Sequence, residues 1–221
     1  VLSSAFRSAG QRCSALRLLC LQDDVADAMI EMVVGAAREL RLGDPRDIAT
    51  HIGPVIDTEA KARLDEHIRR MKATARVHYA GAAPQAGNFV APHVFELPSV
   101  EALDKEVFGP ILHVVRYRAE DLDNVLRSIG QSGYGLTFGL HSRIGDLADR
   151  VRRLPVGNIY INRNMIGAVV GVQPFGGCGL SGTGPKAGGP HYLARFATEQ
   201  TITINTAAAG GNAALASLGD R

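Results

Sequence analysis

The stretch Gly10-Gln11-Arg12-Cys13-Ser14-Ala15 constrains this chain more than any other. A glycine permits a sharp turn, small residues follow the cysteine, and an apolar run from Leu16 to Leu21 comes directly after. The run reads as a buried strand, and Val1 to Ala9 reads as a helix that ends at Gly10. Cys13 is therefore expected in a loop between a helix and a core strand. Backbone N–H groups at such a boundary can stabilise negative charge, which suits a nucleophilic thiol. Most free cysteines are small core residues instead. Cys20, inside the apolar run, is expected to be one. Cys178 lies in a glycine-rich stretch that leaves room for exposure, with nothing beside it to activate it.

The remaining chain alternates strands and helices. Asp23 is placed to cap a helix whose stripe runs through Val25, Ala28, Met29, Met32, Val33, Ala36, Ala37 and Leu40. On that reading the methionines are core. Gly43 and Pro45 close the helix. A second amphipathic helix runs from Asp57 through Ala60, Leu64, Ile68 and Met71, with Arg63, Arg69, Arg70 and Lys72 on a solvated face. Strands are expected at Arg76–Ala80, Ile111–Tyr117, Leu136–Leu140 and Gly157–Asn162, and Phe89–Leu97 is another extended segment. Helices are expected over Leu122–Ile129 and Ile144–Leu154. The alternation implies an α/β fold with a mostly parallel sheet and flanking helices. Thr201–Asn205 alternates strictly and should form an edge strand or a subunit contact. The tail after Ala207 is alanine- and glycine-rich and expected to be loose.

Several function classes fall away. A net charge of +2 points to neither nucleic acid nor an acidic tail. No apolar run approaches the ~20 residues of a membrane span. Three cysteines without C-x-x-C spacing, and seven histidines without H-x-x-x-H spacing, indicate neither a disulfide framework nor a metal site. The odd cysteine count and the lack of a leader fit a reducing cytoplasm. Gly177-Cys178-Gly179-Leu180-Ser181-Gly182 satisfies G-x-G-x-x-G, but Pro174 precedes it and Gly184-Pro185 follows, so no helix can open there. Val1 begins in mid-pattern, which suggests a piece of a longer protein.

Three stretches together carry a family resemblance. Gly10-Gln11-Arg12-Cys13 resembles the nucleophile motif of the aldehyde dehydrogenase superfamily. Glu106-Val107-Phe108-Gly109-Pro110 resembles its cofactor-ribose motif. Gln173-Pro174-Phe175-Gly176-Gly177, with Ser181-Gly182 beyond, resembles its late substrate loop. Cys13-Ser14-Ala15, Gly167 to Gly177 and Ser181 to Tyr192 are similar to the L-glutamate γ-semialdehyde (pyrroline-5-carboxylate) dehydrogenase branch. The ending, Asn205 to Asn212, is similar to that of the bacterial proline utilization A family. In that family the dehydrogenase lies C-terminal to a flavin-dependent proline dehydrogenase.

The resemblance implies a catalytic domain over residues 1–198 and an oligomerisation strand with tail over 199–221, hence a homo-oligomer. It implies that Cys13 attacks the aldehyde, that Glu106 holds the nicotinamide ribose of NAD, and that Phe108 packs beside it. Ser14, Gly167 and Ala168 would bind the substrate carboxylate and Phe175 its aliphatic stem. FAD would belong to the separate proline dehydrogenase domain. The family's general base, its oxyanion amide donor and most of its dinucleotide domain precede the nucleophile, where this chain has twelve residues. The chain alone is therefore expected to bind NAD weakly and turn over little. Two other readings stay open: a relative acting on another carboxylated semialdehyde, such as succinate semialdehyde, and a non-catalytic oligomerisation fragment.

Overall fold

A computed structural model describes residues 1–169, 171–205 and 208. The chain divides into two compact units, Val1–Gly189 and Pro190–Arg221.

In the first unit the chain opens with α1 (Leu2–Phe6), then a tight turn over Arg7–Gly10. The expected Val1–Ala9 helix is cut short because Ser8 and Ala9 adopt positive φ (57° and 53°), a left-handed conformation no α-helix continues through. β1 (Leu18–Gln22) follows, then α2 (Asp23–Arg38), α3 (Thr58–Thr74), β2 (Arg76–Ala80), β3 (His93–Leu97) and β4 (Ile111–Tyr117). These strands form one sheet in the order β1-β4-β3-β2. β1 and β3 run parallel to β4, whereas β2 is antiparallel to β3. The central pair carries the core: Ile111, Leu112, Val94 and Phe95 are fully buried. β1 is not the fully buried strand expected. Only Leu21 is buried, because β1 lies at the sheet edge and has one ladder partner.

α2 shows what a doubly apolar helix does. Its buried face is Ala26, Ile30, Val33, Val34 and Ala37. Val25 and Met32, expected in the core, are 50% and 61% exposed. Both sets repeat at three and four, and burial goes to the set holding the branched Ile30, Val33 and Val34. Asp23 is the first helical residue rather than the cap. The cap position is Gln22, whose amide donates to Asp24 (2.7 Å), while Asp23 and Asp24 place negative charge at the positive helix end. α3 starts as expected, with the Asp57 carboxylate accepting from the Ala60 N–H (2.7 Å). Its buried stripe includes His67. Arg63 and Arg69 on the outer face pair with Glu59 and Glu66 of the same helix.

The second half of this unit holds α4 (Leu122–Gln131), β5 (Tyr134–Gly135), β6 (Thr137–Leu140), α5 (Asp146–Val151), β7 (Asn158–Ile161) and β8 (Cys178–Gly179). β6 and β7 pair in parallel across α5, a βαβ unit. β5 and β8 pair antiparallel. Gly177–Gly182 is a strand and turn, with no helix opening after it.

In the second unit, a single turn over Leu193–Phe196 brings Tyr192 and Phe196 together edge to face, 5.4 Å between ring centroids. Thr201–Asn205 is exposed, forms no strand and has no ladder partner among the described residues. The tail after Ala207 lies, apart from Ala208, outside the described residues, as does Val170.

Candidate active site

Sheet topology brings the first two motifs together. β1 and β4 are parallel neighbours with Leu18 opposite His113, so the loops leading into them meet at the same end of the sheet. One loop is Gln11–Arg17. The other is residues 98–110, the connection between β3 and β4.

The thiol loop is strained and open. Ser8, Ala9 and Gly10 hold φ of 57°, 53° and 64° in succession, and the Gln11 N–H closes the turn on the Ser8 carbonyl (3.0 Å). Such backbone persists only where the surroundings fix it. The Gln11 side chain accepts from the Ile56 N–H (3.1 Å), which ties the turn to the segment before α3. Cys13 emerges exposed, while its neighbour Ser14 is buried. Cys20 is half-buried against the core, and loss of hydration pushes its thiol up to about 12, so it stays protonated. Cys178 is exposed.

Arg17 joins the loops, and nothing in the sequence marked it. Its Nη1 donates to the carbonyls of Gly10 (2.5 Å) and Gly109 (3.3 Å). Its Nη2 donates to the Arg12 carbonyl (2.9 Å) and to Glu106 Oε1 (3.4 Å). The guanidinium carbon also stands 4.8 Å from the centre of the Phe108 ring, a cation–π contact. Burial lowers the Arg17 pKa from its usual value; attraction to Glu106, the hydrogen bond with it, and attraction to Cys13 oppose that shift. Arg17 contacts span 89 and 92 residues of sequence, a reach invisible to local periodicity.

Behind Arg17 lies a buried histidine pair. The Arg17 carbonyl accepts from the His113 backbone N–H (3.0 Å) and from His113 Nδ1 (3.1 Å). His113 Nε2 is then the acceptor for His67 Nε2–H (2.9 Å), and His67 Nδ1 accepts from Arg70 (3.2 Å). Each partner thus fixes the next tautomer. Burial holds both imidazoles near pKa 4, so both are neutral at pH 7.

Glu106 and Phe108 border a cleft of about 1070 Å³ that Ser8, Gln11, Arg70 and Lys105 also line. Glu106 is 38% exposed along its side chain, and Phe108 is 41% exposed. A carboxylate has about four lone-pair sites, so Glu106 keeps acceptor capacity beyond its bond to Arg17. That arrangement fits a diol such as a ribose. Cys13 is not part of the cleft lining.

Tyr134 connects the third motif. Its hydroxyl accepts from the Glu106 N–H (3.2 Å), while its backbone pairs with Gly179. The loop carrying Phe175 is then clamped from β7. The Asn158 amide donates to the Pro174 carbonyl (3.0 Å), and its oxygen accepts from the Gly176 N–H (3.3 Å). Lys186 donates to the Gly157 carbonyl, and Phe175 bridges to Ala187. Phe175 is half-buried. The segment with Gly167 and Ala168 is tied to α1 through the Met165 N–H and the buried Ser4 hydroxyl (3.3 Å). Gly167 has φ +76° and is exposed, and Ala168 is half-buried. Arg17, Tyr134, Asn158 and Lys186 tie these loops together and are not among the candidates the sequence singled out. Among the described residues no group of three or more His, Cys, Asp or Glu could hold a metal ion, and no helix is long and apolar enough to cross a membrane.

This arrangement has close counterparts. The bifunctional protein PutA of Klebsiella aerogenes is 55% identical over 205 residues, which cover 89% of this chain and 16% of that protein. A crystal structure of bifunctional proline utilization A superposes with a TM-score of 0.89 at 74% identity, over 95% of this chain and 22% of that one. The 1-pyrroline-5-carboxylate dehydrogenase from Thermus, solved with bound NAD, superposes with a TM-score of 0.82 at 36% identity, over 88% of this chain and 38% of that one. The chain thus spans about a sixth of the length of the PutA relative it matches. The aldehyde dehydrogenase family pattern matches residues 1–202. With that match added to the joined thiol and carboxylate loops, the chain belongs to the aldehyde dehydrogenase family.

Proposed function

We propose that this chain supplies the nucleophile and the cofactor-ribose carboxylate for oxidation of L-glutamate γ-semialdehyde to L-glutamate, the second step of proline catabolism. The observation that carries the reading is the exposed Cys13 loop strapped by Arg17 to Glu106 and Phe108. The relatives named for PutA and for 1-pyrroline-5-carboxylate dehydrogenase support the choice of aldehyde.

Cys13 Sγ, as thiolate, attacks the aldehyde carbon. A C–S bond forms, and the carbonyl oxygen takes the negative charge, which the Cys13 N–H stabilises. NAD, when bound, supplies the hydride acceptor. Glu106 accepts from the ribose hydroxyls, and Phe108 packs beside that end of the cofactor. Oxidation leaves an acyl group on Sγ as a thioester, and water releases it as the carboxylate with return of the thiol. Ser14 and the backbone amides at Gly167 and Ala168 receive the substrate's α-carboxylate. Those amides are accessible because no large side chain shields them. Phe175 packs on the aliphatic stem. Residues 199–221 supply subunit contacts in a homo-oligomer. FAD belongs to a proline dehydrogenase domain of the PutA kind, and three free cysteines suit the reducing cytoplasm.

In the protein that contains this chain, Cys13→Ala abolishes NADH formation from L-glutamate γ-semialdehyde. Retained turnover would sink the assignment. A panel with succinate semialdehyde tests the substrate, since Ser14, Gly167 and Ala168 should favour the aldehyde bearing an α-carboxylate and amine.

A further inference from the structure

Arg17 takes no part in the bond-making steps above, yet among the described residues it is the one side chain that grips both loops. Its fork holds the Gly10 carbonyl of the turn before the thiol loop, the Arg12 carbonyl within it, one carbonyl of the 98–110 connection, and the Glu106 carboxylate. Its own backbone is fixed by the two bonds from His113. We propose that Arg17 is a positioning residue whose guanidinium locks the Cys13 peptide and the Glu106 carboxylate into one unit.

The geometry of a trans peptide carries the argument. The C=O of residue 12 and the N–H of residue 13 point in opposite directions. No cis bond occurs among the described residues. Holding the Arg12 carbonyl on Nη2 therefore turns the Cys13 N–H away from the guanidinium. That N–H has no protein acceptor among the described residues, so it remains free to meet an oxyanion. The same nitrogen reaches Glu106, so the amide that faces the reacting carbon and the carboxylate that faces the ribose are set by one planar group. Lysine could not substitute. Its ammonium is a compact point charge, while the guanidinium offers five donors in a rigid fork. The Phe108 ring on the guanidinium face adds a third tie.

The inference rests on Cys13 being the nucleophile, as proposed above, and a pair of reagents separates the two ideas. p-Nitrophenyl acetate acylates a thiolate through a tetrahedral oxyanion: a C–S bond forms, the ester C–O bond breaks, and p-nitrophenolate leaves. Iodoacetamide alkylates by displacement of iodide and passes through no oxyanion. The full 221-residue chain, Arg17→Met and Arg17→Lys are treated with each reagent, and labelling is read at each cysteine by peptide mass spectrometry. Cys20, protected by the fold, reports integrity, and exposed Cys178 is the reference. The expected result is an acylation-to-alkylation ratio at Cys13 that falls about tenfold in Arg17→Met, as a misaimed oxyanion donor requires. Arg17→Lys falls comparably, because charge alone does not restore the fork. The ratio at Cys178 stays constant. An unchanged ratio at Cys13 in both variants, with Cys20 still protected, overturns the role of Arg17 and leaves the nucleophile standing. Full recovery in Arg17→Lys overturns it too, since a point charge would then suffice. If Arg17→Met exposes Cys20, Arg17→Lys decides alone. A Cys13 inert to both reagents in the unmodified chain contradicts the nucleophile, and the Arg17 role falls with it.

Discussion

Gly10 and Gly109 meet backbone to backbone: a Cβ on Gly10 would lie 2.2 Å from the Gly109 carbonyl oxygen. The two loops touch where no side chain fits, and Gly10 also holds φ +64°. Gly10→Ala would combine a clash with rigid backbone and a left-handed strain. The expected outcome is a loss of about 2 kcal/mol or more in stability, read as a lower urea midpoint, together with slower alkylation of Cys13. A variant with unchanged midpoint and unchanged Cys13 rate would contradict this close approach.

The histidine pair makes stability depend on pH. Burial holds His67 and His113 near pKa 4, below the usual 6.5. Between those values the unfolded chain binds more protons than the folded one, so stability is complete above about pH 6.5 and falls as pH drops toward 4. The expected loss between pH 7 and pH 4.5 is on the order of 5 kcal/mol for the pair. Urea melts across that window check it. His67→Gln, which removes one titrating partner, should flatten the profile, and an equally steep profile in that variant would count against the pair.

Glu106 should act on cofactor binding more than on thiol chemistry. Glu106→Gln keeps an acceptor for Arg17 but loses the charge that strengthens bonds from ribose hydroxyls. In the protein that contains this chain, the expected change is an increase of about tenfold in the NAD dissociation constant. Calorimetric titration with NAD measures it directly, and an unaltered constant would remove Glu106 from the cofactor site.

Parts of this fold are legible in the sequence for simple reasons. β2 and β4 carry compact runs, Arg76–Ala80 and Ile111–Tyr117, and form at those bounds. α3 announces itself with Asp57 at its cap. α2 is legible as a helix but not in its facing, because Val25, Met29 and Met32 mimic the true stripe of Ala26, Ile30, Val33 and Val34. The left-handed Ser8 and Ala9 could not be read, since neither is glycine. Cys13, Glu106 and Phe108 could be named from their motifs, but what joins them could not. Arg17 reads locally as one charged residue inside the apolar Leu16–Leu21 run, and its partners Glu106 and Gly109 arrive only when β1 and β4 align. Nor does the usual placement of sites in open α/β sheets, beyond the carboxyl ends of the strands, point there. These loops lie at the amino ends of β1 and β4. Tyr134 is hidden in the same way, since only pairing with Gly179 brings its hydroxyl to Glu106.

Cys13 and Cys178 are both exposed, and the proposed chemistry requires Cys13 to act as a nucleophile where Cys178 does not. Iodoacetamide labelling at pH 6, resolved by cysteine, measures the difference most directly. Cys13 should react at least about tenfold faster than Cys178 while Cys20 stays unmodified, because the Arg17 guanidinium is held against the loop that carries Cys13. Equal rates at Cys13 and Cys178 would contradict it.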